Sequence, residues 1–194
     1  MNKDKYLVLD LEATCDDGIK NYPKSKKEII EIGAVIADTD GLVYEEFDVF
    51  VKPVIIPILS DFCKELTTIT QDQVDNGLLI VDAFNELEQF WLNMKNKYPE
   101  LVGWGSWGYF DKGQIDHELQ RINYTQPFSI NFSNVRHYNF SDLYRYKKAL
   151  PRKVGLGKAI SQNSLSFTGT AHRAIDDVKN IAQILPIIFK ENSW

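Results

Sequence analysis

The sequence predicts an α/β fold in which one mixed sheet is covered by helices. Three observations carry this. A short apolar strand stands first, at Lys5 to Glu12 (KYLVLDLE), and two further β-prone runs follow it closely. The middle of the chain then changes to helical spacing. A last short apolar strand is followed only by helical segments, so the order is strands, a helix, a strand and helices.

Each element has its own signal. Glu28 to Asp38 (EIIEIGAVIAD) reads as a second strand and Leu42 to Val51 as a third. Asp-Thr-Asp-Gly at 38–41 is the turn that makes them a hairpin. The polar stretch from Cys15 to Lys27, with Gly18 and Pro23, reads as a loop. Pro53 and Pro57 end the hairpin, and Leu59 to Asn76 reads as loop with short helical turns. Val81 to Lys97 places Phe84, Leu87, Trp91 and Met94 at helical spacing and predicts a long helix. Leu101 to Trp104 is the fourth strand, and Phe110 to Asn123 a helix. Residues 124–160 read as irregular, with shorter helices around 141–149 and 154–161. A final helix is expected from Thr170 onward, ended or kinked by Pro186.

The bulk properties set limits. With 194 residues, the chain suits one domain over 1–194. At 44% hydrophobic and 25% charged it is globular rather than disordered. A formal net charge of −5 argues against coating duplex DNA by charge alone, but is compatible with a carboxylate cluster that holds metal. Cys15 and Cys63 make no disulfide framework, no secretory signal is visible, and no apolar run is long enough to span a membrane. The expected location is the cytoplasm.

The acids carry the chemistry. On the first strand Val8, Asp10 and Glu12 share one face, while Leu7, Leu9 and Leu11 share the other. Two acids at the end of an apolar strand are costly to bury without a cation, and hard divalent ions prefer such oxygen ligands. In AHRAIDDVKNIAQIL, Ala174, Val178, Ile181 and Leu185 form an apolar stripe. Asp177 lies about 60° from Ala174, whereas Asp176 lies about 160° away. Asp177 is therefore the inward acid. His172, just before it, has a side chain suited to proton transfer near neutral pH. In GWGSWGYFDKGQIDHELQRI the stripe of Ile115, Leu119 and Ile122 turns Asp116 outward, but leaves both Asp111 and Glu118 near it.

With these residues assembled, the sequence resembles the DEDDh exonucleases of the ribonuclease H-like superfamily. LDLEATC at 9–15 matches the first exonuclease motif, SWGYFDKGQIDHEL at 106–119 the second, and AHRAIDD at 171–177 the H-x-A-x-x-D form of the third. LSDFCKELTTITQDQVD at 59–75 is similar to a segment of the branch holding the histone-mRNA and small-RNA 3′ exonucleases and the KapD-like proteins. The second motif aligns with an offset, Gly108 standing where branch members carry the acid.

The resemblance implies a mixed sheet of about five strands. It also implies 3′→5′ hydrolysis of single-stranded nucleic acid from a free 3′ end, RNA favoured over DNA, releasing nucleoside 5′-monophosphates. Two divalent ions, Mg²⁺ or Mn²⁺, would be held by Asp10, Glu12, Asp111 and Asp177, with His172 as general base. Phe62, Leu66 and Trp107 would hold the terminal base, and backbone N–H groups near Ala13 and Thr14 would meet the 3′-hydroxyl. The excess of Arg136, Arg145, Lys147, Lys148, Arg152, Lys153 and Lys158 over Asp142 offers either a phosphate track or an ordinary solvated face. Two other readings use the same residues. One is a nucleic-acid-binding or scaffold protein with a decayed site. The other is a phosphodiesterase for short oligonucleotides.

Overall fold

A computed structural model describes residues 3–17, 26–122 and 135–190. Three strands come first: β1 (Lys5–Ala13), β2 (Ile29–Asp38) and β3 (Val43–Phe50). Three helices follow, α1 (Asp61–Thr67), α2 (Gln71–Asp75) and α3 (Ile80–Lys97). Then come β4 (Leu101–Ser106), α4 (Phe110–Arg121) and β5 (His137–Asn139). The chain continues through α5 (Phe140–Lys147), α6 (Leu156–Gln162) and α7 (Ala174–Phe189). The sheet order is β3-β2-β1-β4-β5. The β1, β2 and β3 neighbours are antiparallel, whereas β1, β4 and β5 are parallel.

The alternation along β1 divides the core. Leu7, Leu9 and Leu11 pack with Phe84, Leu87 and Trp91 of α3 and Ile115 of α4. Tyr6 and Val8 face the other way, against Val178, Ile181 and Leu185 of α7 and Phe140 of α5. Each fully buried aliphatic or phenyl side chain contributes about 1.5–3 kcal/mol, so both faces hold the sheet strongly. A smaller cluster of Ile30, Leu59, Cys63, Ile69 and Val74 seats α1 and α2 against the sheet end.

Most elements fall where the periodicity puts them. The part of the predicted loop at 18–25, and the part of the irregular segment at 124–134, lie outside the described residues. Three departures have physical causes. The last helix begins at Ala174 rather than near Thr170, because His172 takes a left-handed conformation (φ 63) that a helix cannot contain. It also runs through Pro186 to Phe189 instead of ending there. Proline removes the N–H that would serve the Ala182 carbonyl, and Gly41 covers that carbonyl so closely that a Cβ would lie 2.7 Å from it. Finally, β5 has no signal of its own. Its three residues become a strand only by pairing with Trp104 to Ser106.

Candidate active site

The site forms where β1 leaves the sheet. Asp10 and Glu12, both half-buried, stand opposite Gly33 and Glu31 of β2, so all four share the face covered by α7. Gly33 sets the distance between layers. A Cβ there would lie 2.4 Å from Ala174 C and Ile175 N, so only glycine lets the first turn of α7 come down beside Asp10. The N-cap residue of α7, Arg173, makes no side-chain cap. Glu31, fully buried on β2, does so instead. It accepts the Ala174 N–H at 2.9 Å and the Arg173 guanidinium at 3.0 Å (Nε) and 2.9 Å (Nη2). The helix start is thereby fixed to the strand beside Glu12.

This placement brings Asp177 over the end of β1. The His172 backbone N–H hydrogen-bonds to the Asp177 carboxylate, and the exposed imidazole stands at the mouth. Ligand atoms of Glu12, His172 and Asp177 all lie within 4.8 Å of one another. Asp111, in the first turn of α4, completes the set. It is buried, and it accepts the Leu11 N–H at 3.2 Å. These residues and Asp10 line one cavity of about 280 Å³, together with Trp107, Phe110 and Leu156.

The carboxyls repel one another. Burial first, then the charges of Asp111, Asp177 and Glu12, push the Asp10 carboxyl well above the usual carboxylate range. Burial and the neighbouring Asp177 raise Glu12 to about 8. Asp177 rises to about 7, chiefly through burial, although the His172 N–H opposes the shift. Asp111 rises to about 6 by burial, held back by hydrogen bonds from Ser106 and the backbone. Four oxygen donors that cannot all ionise without a cation, beside one imidazole, fit divalent metal.

The geometry separates Asp111 from Glu118, which the helix wheel left open, and keeps Asp116 and Asp176 outside the cavity. Glu118 is fully buried but turned elsewhere, accepting the Ile29 N–H at 3.1 Å and pairing with Arg121. Asp116 pairs with Lys112 at 2.7 Å, outside the cavity. Asp176 accepts the Thr170 N–H at 2.8 Å and supports the loop before α7. Of the residues expected to hold the terminal base, Trp107 lines the cavity. Its indole N–H donates to Val154 O at 3.0 Å. Phe62 and Leu66 are exposed on α1 and are not part of that lining. Ala13 and Thr14 are buried. The Thr14 N–H is already bonded to Glu28 O at 2.8 Å, and its hydroxyl accepts the Glu28 N–H. The basic stretch is partly spent internally, since Lys153 and Arg145 both pair with Asp142. Sequence reasoning passed over Glu31, Gly33, Phe110 and Leu156. A lone acid and a glycine inside the apolar run of β2 were the available signals for the first two.

The sheet order, with helices on both faces and acids at the end of β1, is the ribonuclease H-like exonuclease fold. A solved nuclease domain of 3′hExo, a DEDDh family member bound to rAMP, superposes with a TM-score of 0.82 at 29% identity. The match covers 95% of this chain and 90% of that one. The exonuclease family (RNase_T) matches residues 7–185, and this chain belongs to it. Human 3′-5′ exoribonuclease 1 is 33% identical over 187 residues, covering 93% of this chain and 51% of the relative. The probable 3′-5′ exonuclease KapD of Bacillus subtilis (strain 168) is 26% identical over 196 residues, covering 100% of this chain and 89% of the relative. The chain thus spans about half the length of the human relative.

Proposed function

We propose that this chain is a divalent-metal-dependent 3′→5′ exonuclease that acts on single-stranded nucleic acid, RNA in preference to DNA, and releases nucleoside 5′-monophosphates. The observation that carries the reading is the convergence of Glu12, His172 and Asp177 within 4.8 Å, in a cavity that Asp10 and Asp111 also line. The RNA preference takes its support from the name of the human relative and from the rAMP in the solved nuclease domain.

On this reading Asp10, Glu12, Asp111 and Asp177 hold two divalent ions, Mg²⁺ or Mn²⁺. When bound, such ions lower the pKa of water and neutralise charge on the phosphate. His172, exposed at the mouth and tied through its backbone to Asp177, accepts the proton of the attacking water. General-base catalysis of this kind contributes roughly 10²–10⁴-fold. The Trp107 indole, fixed by its bond to Val154 O, presents its ring to the terminal base, with Phe62 and Leu66 of α1 and the backbone at Ala13 as further contacts, the Thr14 N–H being held by Glu28 O.

The test is digestion of RNA and DNA strands labelled at the 5′ end, with Mg²⁺, Mn²⁺ or EDTA. The expected product is a ladder shortened from the 3′ end, RNA faster than DNA, and none with EDTA. Asp177→Asn and His172→Ala should each abolish it while the protein keeps its fold by circular dichroism. Retention of more than a few per cent of the activity by both variants would overturn the assignment.

A further inference from the structure

A second cavity, of about 260 Å³, is lined in part by a residue adjacent in sequence to the wall of the first. One segment serves both. Trp107, Phe110 and Asp111 line the carboxylate cavity, whereas Tyr109 between them lines the second. The rest of this wall comes from β5 and the first turns of α5. The cavity therefore runs along the edge strand, from Arg136 just before it to Tyr146 of α5.

The chemistry of the lining is specific. Asn139 is only 7% exposed. Its Oδ1 accepts the Asp142 N–H at 3.1 Å and the Ser141 hydroxyl at 2.9 Å, which fixes the orientation of the amide. Its Nδ2 has no hydrogen-bond partner among the described residues. A buried donor left without an acceptor is costly, and it points to an acceptor supplied from outside.

Around it stand aromatic rings and cations. The Arg136 guanidinium lies 4.7 Å over the Tyr138 ring, and Lys153 Nζ lies 5.2 Å from the centre of Tyr109. Tyr109 and Tyr146 are 61% and 69% exposed, far more than aromatic rings with only a packing role. The one acid in the lining, Asp142, is already paired with Lys153 at 2.9 Å. Rings, cations and an unpaired donor are what a single-stranded nucleic acid needs from its binder. The volume falls just below the roughly 300–1,000 Å³ of ordinary small-molecule sites, so it suits a single nucleotide.

We infer that this cavity is a second nucleotide subsite. It takes an upstream nucleotide of the same strand whose 3′ end enters the carboxylate cavity. The base lies against Tyr109 or Tyr146, Asn139 Nδ2 donates to an oxygen of the base or sugar, and Arg136 meets a phosphate. The inference rests on the exonuclease reading, and it gives part of the basic stretch at 136–158 a defined task.

Two measurements on the intact chain separate this subsite from the chemistry. The first is the affinity, by fluorescence anisotropy, for a 5′-labelled RNA of about ten nucleotides, within the span of single-strand grooves. Its 3′-terminal linkage is a phosphorothioate. The second is the rate of hydrolysis of a nucleoside 5′-monophosphate p-nitrophenyl ester, which carries a single nucleotide and cannot fill both cavities. Tyr146→Ala and Arg136→Ala alter exposed side chains, and Asn139→Asp keeps the helix cap while replacing the donor by an acceptor. Each should raise Kd for the long strand, roughly tenfold for Tyr146→Ala, with the rate on the single-nucleotide ester unchanged. A long-strand Kd that stays within experimental error in all three overturns the subsite. A parallel loss on the single-nucleotide ester overturns it too, because the cavity would then belong to the chemistry. Failure of the unaltered chain to shorten an unmodified strand of the same sequence with Mg²⁺ or Mn²⁺ would break the exonuclease reading, while the anisotropy series would still decide the subsite.

Discussion

Two sets of buried acids lie side by side near the end of the sheet, and the protein treats them in opposite ways. Glu28, Glu31 and Glu118 are almost fully buried, and each is satisfied from within. Glu28 accepts the N–H groups of Val54, Ile55 and Ile56 at 2.7–2.8 Å. Glu31 holds Arg173 and the start of α7, and Glu118 holds Arg121 and the Ile29 N–H. Asp10, Glu12, Asp111 and Asp177 receive far less. Asp111 and Asp177 have a few hydrogen bonds, yet all four carboxyls are pushed upward, by burial foremost. The first set does structural work with donors of the chain. The second is held in mutual repulsion that a cation from solution would relieve, and the first set is what holds it there.

The comparison breaks most visibly at Glu31. Glu31→Ala leaves Arg173 without its carboxylate and α7 without its cap. We expect a loss of about 3–5 kcal/mol in urea unfolding, with hydrolysis falling alongside. A loss under about 1 kcal/mol, the size of an exposed ion pair, would mean that Glu31 is not a structural acid in this sense.

The pH dependence of the metal-free protein comes next. A carboxyl whose pKa is raised on folding contributes stability that is fully present below its ordinary value and is lost as pH rises through the raised one. For Asp111, Asp177 and Glu12 that window runs from the ordinary 3.8 and 4.5 up to about 6, 7 and 8. With EDTA, stability should fall from about pH 4 to 8, by at most about 1.4 kcal/mol per pH unit for each carboxyl. Saturating Mg²⁺ or Mn²⁺ should flatten the fall. A flat profile already present in EDTA would contradict the repulsion.

Gly33→Ala tests the spacing between layers. Its methyl group meets the α7 backbone, so we expect a cost of about 1–3 kcal/mol and reduced hydrolysis. Unchanged activity and stability would show that α7 can retreat without disturbing Asp177. The smallest effect belongs to Glu12→Gln. Removing one repelling charge should leave the EDTA-treated protein as stable or up to about 1 kcal/mol more so near pH 8, and should shrink the rise in Tm that metal produces. Marked destabilisation in EDTA would place Glu12 with the structural acids.

Much of this was legible in the residues. The period-2 run of β1 put Asp10 and Glu12 on one face, and the helical stripe of α7 separated Asp177 from Asp176, because both depend only on local geometry. The choice between Asp111 and Glu118 was not local. Both lie near the inward face of α4, and contacts with Leu11 on one side and Ile29 on the other send them to different tasks. The role of Glu31 was hidden for the same reason. Its partner Arg173 is 142 residues away.

By itself the sequence determined the order of strands and helices, the faces they bury and the acids able to reach a common end of the sheet. Short-range sterics and hydrophobic periodicity fix those things. Only the tertiary structure decided which acids are neutralised from within and which are left facing one another, because that depends on donors brought from distant strands. It also added β5, which exists only through its pairing with β4, and with it the cavity beside Tyr109.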